Sequence, residues 1–316
     1  NSLPAWVLKH CLLHRGIGEM FVRVNLVHFG MLAWLCAIGT CAVGGDIIDQ
    51  RMAERHGLQR GWYTQVQMGA YSEIAGWELA YDELFVVTST GTVHAIDANT
   101  GRTQWVNSVG NFDYPTVGPA VDRNYVAVMN GSTAYVLNRT NGAIFLEQRL
   151  AGAPGAALVL ASGYLYTPLA RGRVVGYRLD GGMIPWHYQS FGRSLVSPLA
   201  TPEGIVWGTT DGYLYAASGE TPSIRYRLEA ASTFGAAPRL QDDTVYAMST
   251  RGELYALSLR NGAQQWKYAT GYPSHRSPAV IGDRVYVTSA EPALHCVDAT
   301  TGNGVWAARN VRQVAA

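Results

Sequence analysis

Short apolar runs alternate with glycine-containing turns along most of this chain, and the pattern recurs about every 40 residues. One large apolar residue keeps this period, at Trp105, Leu146, Trp186, Tyr226, Trp266 and Trp306. A turn glycine lies about 14 residues before most of them, at Gly91, Gly131, Gly172, Gly212 and Gly252, with Pro292 in the sixth repeat. A second turn glycine follows in most repeats, at Gly101, Gly142, Gly182, Gly262 and Gly302. This period is typical of a β-propeller, in which each repeat forms one four-stranded blade.

Each repeat contains an apolar strand, a turn, a second strand, another turn and a last strand that carries the large residue. A shorter strand precedes this unit and often starts at a proline, as at Pro119, Pro198, Pro238 and Pro278. Proline suits a strand start because its missing N–H breaks no ladder hydrogen bond there. We therefore predict an all-β chain with six complete blades between about residues 76 and 309. The repeated aromatic residues are predicted to fill the blade interfaces, because an aromatic ring covers a large apolar area.

The ends of the repeat region predict further blades. Trp62 lies 43 residues before Trp105, and residues 62–68 alternate in polarity like the last strand of a blade whose other strands are absent upstream. Residues 310–316 resemble the first strand of another repeat. Propellers commonly close by joining strands from the two chain ends in one blade. We expect a propeller domain over residues 62–316 that is incomplete at its C-terminus, from a ring of seven or eight blades. In the chain as given, the ring should be open or strained and the strand over residues 62–68 should lack its blade partners.

The N-terminal segment has the composition of an export signal. Residues 25–45 carry no charged side chain, with basic residues before them and acidic residues after them. We predict a signal or anchor leader with a hydrophobic helix over residues 1–45, followed by a linker helix or a solvated connector over 46–61. Small residues at 42–44 suit a signal peptidase, whereas residues 38–41 resemble a bacterial lipobox and make Cys41 the lipidation candidate. The run is also long enough for an uncleaved membrane anchor. Each alternative predicts location in the cell envelope, on the periplasmic side of a membrane.

Charge and cysteine content exclude several classes of protein. The chain of 316 residues has 24 Lys and Arg against 23 Asp and Glu, so it lacks the basic excess of a nucleic-acid-binding protein. Three of its four cysteines lie in the leader, and Cys296 is the single cysteine of the repeats. This distribution provides neither a disulfide framework nor a CxxC metal site. We expect a monomeric propeller.

A longer motif accompanies the period in the first and last repeats. Ala95, Asp97, Thr100, Gly101 and Trp105 form the pattern A-x-D-x-x-T-G-x-x-x-W. The last repeat has Cys296 at the first position and then keeps the pattern through Asp298, Thr301, Gly302 and Trp306. The middle repeats keep the frame but replace the aspartate, by Asn138, Arg178, Ser218 and Ser258.

This motif resembles the tryptophan-docking motif of the pyrroloquinoline quinone (PQQ) repeat family, over about residues 62–316. The resemblance implies a propeller like that of the quinoprotein alcohol dehydrogenases. The same family includes non-enzymatic outer-membrane assembly lipoproteins of the BamB type. A lipobox-like leader before the propeller is similar to these lipoproteins.

A quinoprotein site is not indicated by the residues. Dehydrogenases of this family hold PQQ and Ca²⁺ with clustered acidic and amide side chains and usually have an adjacent cysteine pair. This chain has no adjacent cysteines and its acidic residues are scattered, whereas Ca²⁺ requires six to eight oxygen ligands. We predict no catalytic residue, cofactor or metal. His94 and His295 share a repeat position with Tyr215 and Tyr255, which indicates a structural role.

Three functions remain open at this point. The first is a non-catalytic envelope scaffold that binds other envelope proteins through its loops. The second is a PQQ-dependent oxidoreductase, and the third is a sensor that binds a small molecule or a glycan. The most polar loop, residues 271–278 with His275, Arg276 and Ser277, is a candidate binding surface because propeller loops commonly carry function.

Overall fold

The computed structural model describes residues 54–55, 61–69, 71–181, 185–219, 223–291 and 293–309. The chain divides into one unit up to Trp62 together with Ala316, and a second unit over Tyr63–Ala315, which contains the repeats. The predicted leader, Cys41 and most of the predicted linker lie outside the described residues. Within the described ranges, no helix has the length and apolar character needed to cross a membrane.

The second unit contains 24 described β-strands in six four-stranded sheets. In the first three sheets the strands are β1 (Ile74–Ala80), β2 (Glu83–Thr88), β3 (Thr92–Asp97) and β4 (Thr103–Ser108); β5 (Thr116–Val121), β6 (Tyr125–Asn130), β7 (Thr133–Asn138) and β8 (Ile144–Arg149); and β9 (Val159–Ala161), β10 (Tyr164–Pro168), β11 (Arg173–Arg178) and β12 (Trp186–Gln189). In the last three they are β13 (Leu199–Thr201), β14 (Gly204–Gly208), β15 (Tyr213–Ser218) and β16 (Ile224–Glu229); β17 (Arg239–Gln241), β18 (Thr244–Met248), β19 (Glu253–Ser258) and β20 (Gln264–Ala269); and β21 (Ala279–Ile281), β22 (Arg284–Ser289), β23 (Ala293–Asp298) and β24 (Gly304–Arg309).

Each sheet is an antiparallel meander in which the strands are paired in chain order. The first strands of successive sheets contact one another, from β1 to β5 and onward to β21. This arrangement is a β-propeller, and the six predicted blades are confirmed with boundaries at Ile74 and Arg309. The segment over residues 62–68, which resembles the last strand of a blade in its alternation, is not part of any described sheet, and it does not pair with the sixth sheet. There the Gln67 carbonyl lies 3.1 Å from Nε2 of His94, so a side chain rather than a neighbouring strand contacts it.

The burial of the strands follows from their place in a blade. The middle strands of an inner sheet, such as β14 and β15, are buried along nearly their whole length, because the third and fifth sheets cover their two faces. The outer strand β4 is largely exposed, and only Trp105 in it is buried. The middle strands therefore have continuous apolar sequences, while the outer strands carry one large apolar residue among polar ones.

A repeated tryptophan joins the first sheet to the second and the fifth sheet to the sixth. Trp105 Nε1 donates a hydrogen bond to the carbonyl of Arg139 in sheet two, at 2.8 Å. A Cβ built on Gly142 would lie 2.4 Å from the Trp105 ring, and Gly142 has a φ of +71°. Glycine is required there by both space and conformation. Trp266 repeats the arrangement, since its Nε1 donates to the Ala299 carbonyl at 2.9 Å and its ring packs on Gly302.

The last tryptophan differs from the others. Trp105, Trp186 and Trp266 are 9%, 7% and 8% exposed, whereas Trp306 is 46% exposed. Trp306 contacts Tyr286 of its own sheet, with 6.1 Å between the ring centroids. The expected burial of the repeated aromatic therefore does not extend to Trp306, because no described sheet covers its face.

Replacement of the docked Trp266 ring should lower the free energy of unfolding much more than replacement of the exposed Trp306 ring. We expect Trp266→Leu to lower the free energy of unfolding by about 3 kcal/mol, through lost packing and a carbonyl left without its donor. The matched change Trp306→Leu should cost less than about 1 kcal/mol. Urea unfolding followed by circular dichroism measures both values, and equal losses would contradict the docking role.

Candidate functional site

The motif residues shared by the first and last repeats build a turn. Asp97 Oδ1 accepts hydrogen bonds from the Asn99 N–H at 3.0 Å, from the Thr100 N–H at 2.7 Å and from Thr100 Oγ1 at 2.8 Å. The Thr100 hydroxyl is the largest cause that lowers the pKa of Asp97. The Asp97 carboxylate and the Thr100 hydroxyl lie at the surface, and each is engaged in hydrogen bonds within the turn. Ala95 is fully buried and pairs with Trp105 in the β3–β4 ladder.

The turn of the last repeat has the same bonds. Asp298 Oδ1 accepts from Thr300 N at 3.1 Å, from Thr301 N at 2.9 Å and from Thr301 Oγ1 at 3.0 Å. These bonds, first the Thr301 N–H, lower the pKa of Asp298. The motif therefore positions the glycine, Gly101 or Gly302, that ends the turn with positive φ.

The histidines occupy packing positions. Burial is the largest cause that lowers the pKa of both His94 and His295, which favours the neutral ring. His295 Nδ1 lies 3.1 Å from the Tyr268 hydroxyl, and its Nε2 lies 3.4 Å from Ser289 Oγ. In the part of the chain that the structure describes, no three His, Cys, Asp or Glu side chains are grouped as metal ligands.

The loops that connect successive sheets all lie at one end of the propeller. Each runs from the last strand of one sheet to the first strand of the next and hydrogen-bonds to the hairpin turn between the second and third strands of the sheet it enters. These bonds are Gly131 N to Pro115 O, Ala170 N to Ala153 O, Thr210 N to Arg193 O, Thr250 N to Thr233 O and Ala290 N to Pro273 O. We call this end the connecting face and the opposite end the turn face.

The connecting face carries most of the exposed aromatic side chains that lie in loops. Its exposed large apolar residues are Tyr71, Phe112, Tyr114, Phe191, Leu195 and Tyr272. Among the described loops of the turn face, Tyr81 is the exposed counterpart. The six residues of the connecting face lie in the loops that enter the first, second, fourth and sixth sheets, and exposed apolar side chains on one face are candidates for contact with another molecule. We call the six residues the aromatic patch.

A buried asparagine holds the loop that carries Phe112 and Tyr114. Asn130 is 3% exposed and its Nδ2 donates to the carbonyls of Asn111 and Tyr114, both at 3.0 Å. Its Oδ1 accepts from the Asn111 N–H at 2.9 Å. The two aromatic rings are therefore exposed on a fixed backbone, which lowers the entropy lost on binding a partner.

Phe191 is fixed in a different way. Its N–H donates to the Tyr215 hydroxyl at 3.1 Å. The Arg227 guanidinium lies over the Phe191 ring at 5.6 Å and over the Tyr213 ring at 4.9 Å, as cation–π contacts. Aromatic and arginine side chains together are characteristic of the centres of protein interfaces.

The polar loop singled out in the sequence belongs to the same face. His275 and Arg276 are exposed, and Tyr272 beside them is part of the aromatic patch. Ser274 anchors this loop, since its buried hydroxyl donates to the Thr288 carbonyl at 2.7 Å. The other aromatic residues of the patch have no signal in the sequence repeat, because they lie between strands, outside the repeated frame.

One carboxyl group near the propeller axis has a strongly shifted pKa. Burial raises the pKa of Glu78 to about 7, and the charge of Arg239 opposes this rise. Glu78 pairs with Phe85 and Arg239 with Tyr246, which are equivalent positions of sheets one and five. The same position in the other sheets is apolar, with Ala120, Val159, Leu199 and Ala279.

Comparisons with known proteins give low-identity relatives of one kind. No family model matches the chain. It is 24% identical over 237 residues to the outer membrane protein assembly factor BamB of Alteromonas naphthalenivorans, covering 72% of this chain and 49% of that protein. The BamB of Vibrio cholerae serotype O1 is 23% identical over 241 residues, covering 70% and 62%. The chain thus spans about half to three fifths of the length of these relatives.

Solved structures show the same fold. The crystal structure of BamB from Moraxella catarrhalis has a TM-score of 0.63 at 18% identity, over 78% of this chain and 79% of that chain. The C-terminal WD40 domain of Sif2 has a TM-score of 0.61 at 12% identity, over 74% and 69%. Both structures are β-propellers, and at these sequence identities the similarity indicates the fold alone.

The raised pKa of Glu78 predicts a pH-dependent stability. Because its pKa is higher in the folded chain, the folded chain binds more protons between pH 4.5 and 7, and the stability falls as the pH rises through this range. We expect Glu78→Gln to stabilise the fold by roughly 1–3 kcal/mol at pH 8 and by little at pH 4.5. Urea unfolding at both pH values tests this, with the exposed Glu73→Gln as the control. The same gain at both pH values would contradict it.

Proposed function

We propose that this protein is a non-catalytic scaffold of the bacterial cell envelope that binds other envelope proteins through its connecting face. The observation that carries the proposal is the aromatic patch, whose residues share one end of the propeller and whose loops are fixed by hydrogen bonds. Rigid, exposed aromatic side chains provide binding area with little loss of conformational freedom.

The comparisons support the same class of function. The relatives in Alteromonas naphthalenivorans and Vibrio cholerae are named outer membrane protein assembly factors. We infer that this chain acts in the same process, as a BamB-like propeller. The tryptophan-docking motif supports membership of the PQQ-repeat family. In this chain the motif has a structural role. In that motif Asp97 and Asp298 are engaged by their own turns.

The leader is part of this proposal. A charge-free run over residues 25–45, followed by an acidic stretch, supports export and attachment to a membrane. We infer that residues 1–45 deliver the propeller to the periplasmic side of the envelope. Lipidation at Cys41 and an uncleaved anchor are the two modes of membrane attachment, and signal-peptidase cleavage at residues 42–44 is the alternative without attachment.

Loss of the aromatic patch should impair function without loss of the fold. In a Vibrio cholerae strain that lacks its own BamB, we expect this chain to raise the amount of assembled outer membrane proteins. The double variant Phe112→Ser with Tyr114→Ser should lose at least about half of that effect, because these two rings supply contact area. Heat-modifiability gels of the outer membrane fraction measure the amount.

The matched control is Tyr81→Ser, which removes an exposed aromatic ring from the turn face. It should retain the activity of the unchanged chain at equal protein level. If the unchanged chain has no effect, or if Tyr81→Ser is as defective as the double variant, the proposed function of the connecting face is wrong.

Cell fractionation tests the attachment. We expect the full-length chain in the membrane fraction, because an apolar run of this length partitions into a bilayer. If Cys41 is lipidated, the unchanged chain should incorporate labelled palmitate and Cys41→Ser should not; if the leader is an anchor, neither chain should incorporate the label. Recovery of the full-length chain from the cytosol would contradict export.

A further inference from the structure

The position after the motif aspartate differs between the sheets and faces the preceding sheet. Its occupants are Ala98, Arg139, Leu179, Gly219, Leu259 and Ala299. The carbonyl of this residue accepts the docking tryptophan of the preceding sheet, as Arg139 does from Trp105 and Ala299 from Trp266. The side chain at this position therefore lies at the junction of two sheets, on the turn face. We call it the junction position.

An arginine fills the junction between sheets one and two. The Arg139 guanidinium is ion-paired with Glu83, and its Nε donates to the Arg123 carbonyl at 2.7 Å. It also lies over the Tyr81 ring, at 5.0 Å from the centroid. The Arg139 side chain is only 18% exposed. This groove thus holds a guanidinium group by a carboxylate, a backbone carbonyl and an aromatic ring.

The junction between sheets five and six has the equivalent positions but no long side chain at the junction position. Leu179 and Leu259 are buried at their junctions, whereas the short Ala299 lines an open cavity of about 510 Å³ at this one. Asp242 lies there at the position of Tyr81, and Thr244 lies at the position of Glu83, as the matching ladder pairs show. Gly282, another lining residue, corresponds to Arg123, whose carbonyl accepts from Arg139.

One carboxylate of the cavity, that of Asp242, has no cationic partner among the described residues. Asp243 is paired with Arg260 at 3.1 Å, and Asp283 with Arg284 at 2.7 Å. Among the described residues Asp242 has neither an ion pair nor a hydrogen bond. Further acceptors in the lining are Gln265, Thr300 and the Gly282 carbonyl, which accepts from Gln241 Nε2 at 2.7 Å. The lining therefore offers several oxygen acceptors and a net negative charge.

We propose that this cavity receives an arginine side chain of a partner protein, which takes the place that Arg139 fills between sheets one and two. A guanidinium is planar and has five N–H donors, so it can bond a carboxylate and neighbouring carbonyls at once. A lysine ammonium is a compact point charge without this fork, and a bidentate bond to Asp242 requires arginine. The inference rests on the proposed function in one respect, that the ligand belongs to a protein.

The test uses a minimal ligand and the full-length chain. Nα-acetyl-arginine amide is titrated while the backbone amide signals of Gly282 and Thr300 are followed by NMR. We expect these signals to shift in a saturable way. The citrulline analogue, which has the same shape without the charge, should bind about tenfold more weakly, as expected for loss of a charge-assisted hydrogen bond.

Two neighbouring aspartates give a matched pair of variants. Asp242→Asn should weaken binding of the arginine derivative by about tenfold. Asp243→Asn should leave binding unchanged, because this carboxylate is already engaged by Arg260. Ala299→Arg should abolish binding, since the chain then fills its own cavity as it does at Arg139, while signals of the other sheets stay in place.

Equal binding of the citrulline analogue, unchanged affinity in Asp242→Asn or retained binding in Ala299→Arg would each overturn the proposal. The outcome is separable from that of the complementation experiment. If the chain binds the arginine derivative but does not complement, the proposed function is wrong and the guanidinium site stands. Successful complementation without arginine binding would remove the site alone.

Discussion

The sheets of this protein are apolar on both faces, and a sheet of this kind is stable only when a neighbour covers each side. The docking of one large ring on a glycine turn of the next sheet meets this requirement. The ring needs a flat surface, which Gly142 and Gly302 provide. The indole N–H needs an acceptor, and a backbone carbonyl serves because it is present whatever side chain the residue has. Tyr226 can replace tryptophan at the fourth position, although its buried hydroxyl has no hydrogen-bond partner among the described residues.

This constraint explains how much of the fold the sequence could predict. A packing requirement that recurs at the junctions between sheets produces a periodic pattern of residues in the sequence. The period, the four strands of each blade and the six sheets could therefore be predicted. A contact that occurs once leaves no such trace. The alternating residues 62–68 resemble a strand, yet a strand needs a partner edge, and alternation does not show whether one exists. The exposure of Trp306 has the same cause, since it depends on a neighbour rather than on the motif.

The candidate sites were less predictable for a related reason. Phe112 and Tyr114 lie in a loop, where an aromatic residue can be buried or exposed, and Phe234 in another connecting loop is indeed buried. Their exposure depends on Asn130, which lies 16 to 18 residues away in the chain. Glu78 and Arg239 are both ordinary strand residues in the sequence. Only the ladder register shows that they share one position near the axis.

The loops at the two ends of the propeller differ in how much their amino-acid sequences can vary without loss of the docking contacts. Connecting loops enter and leave the sheets without taking part in tryptophan docking, so their tips can vary in sequence, and three of them carry aromatic residues of the patch. The turn face contains the glycines on which Trp105, Tyr226 and Trp266 pack and the carbonyls that accept from Trp105 and Trp266, which limits it to short turns. Chemistry can arise there through the junction position, whose carbonyl docks the tryptophan while its side chain is free to change. Arg139 and Leu259 fill their junctions, whereas Ala299 leaves one open beside Asp242. A single truncated side chain can therefore create a binding cavity in a fold whose main contacts remain the same.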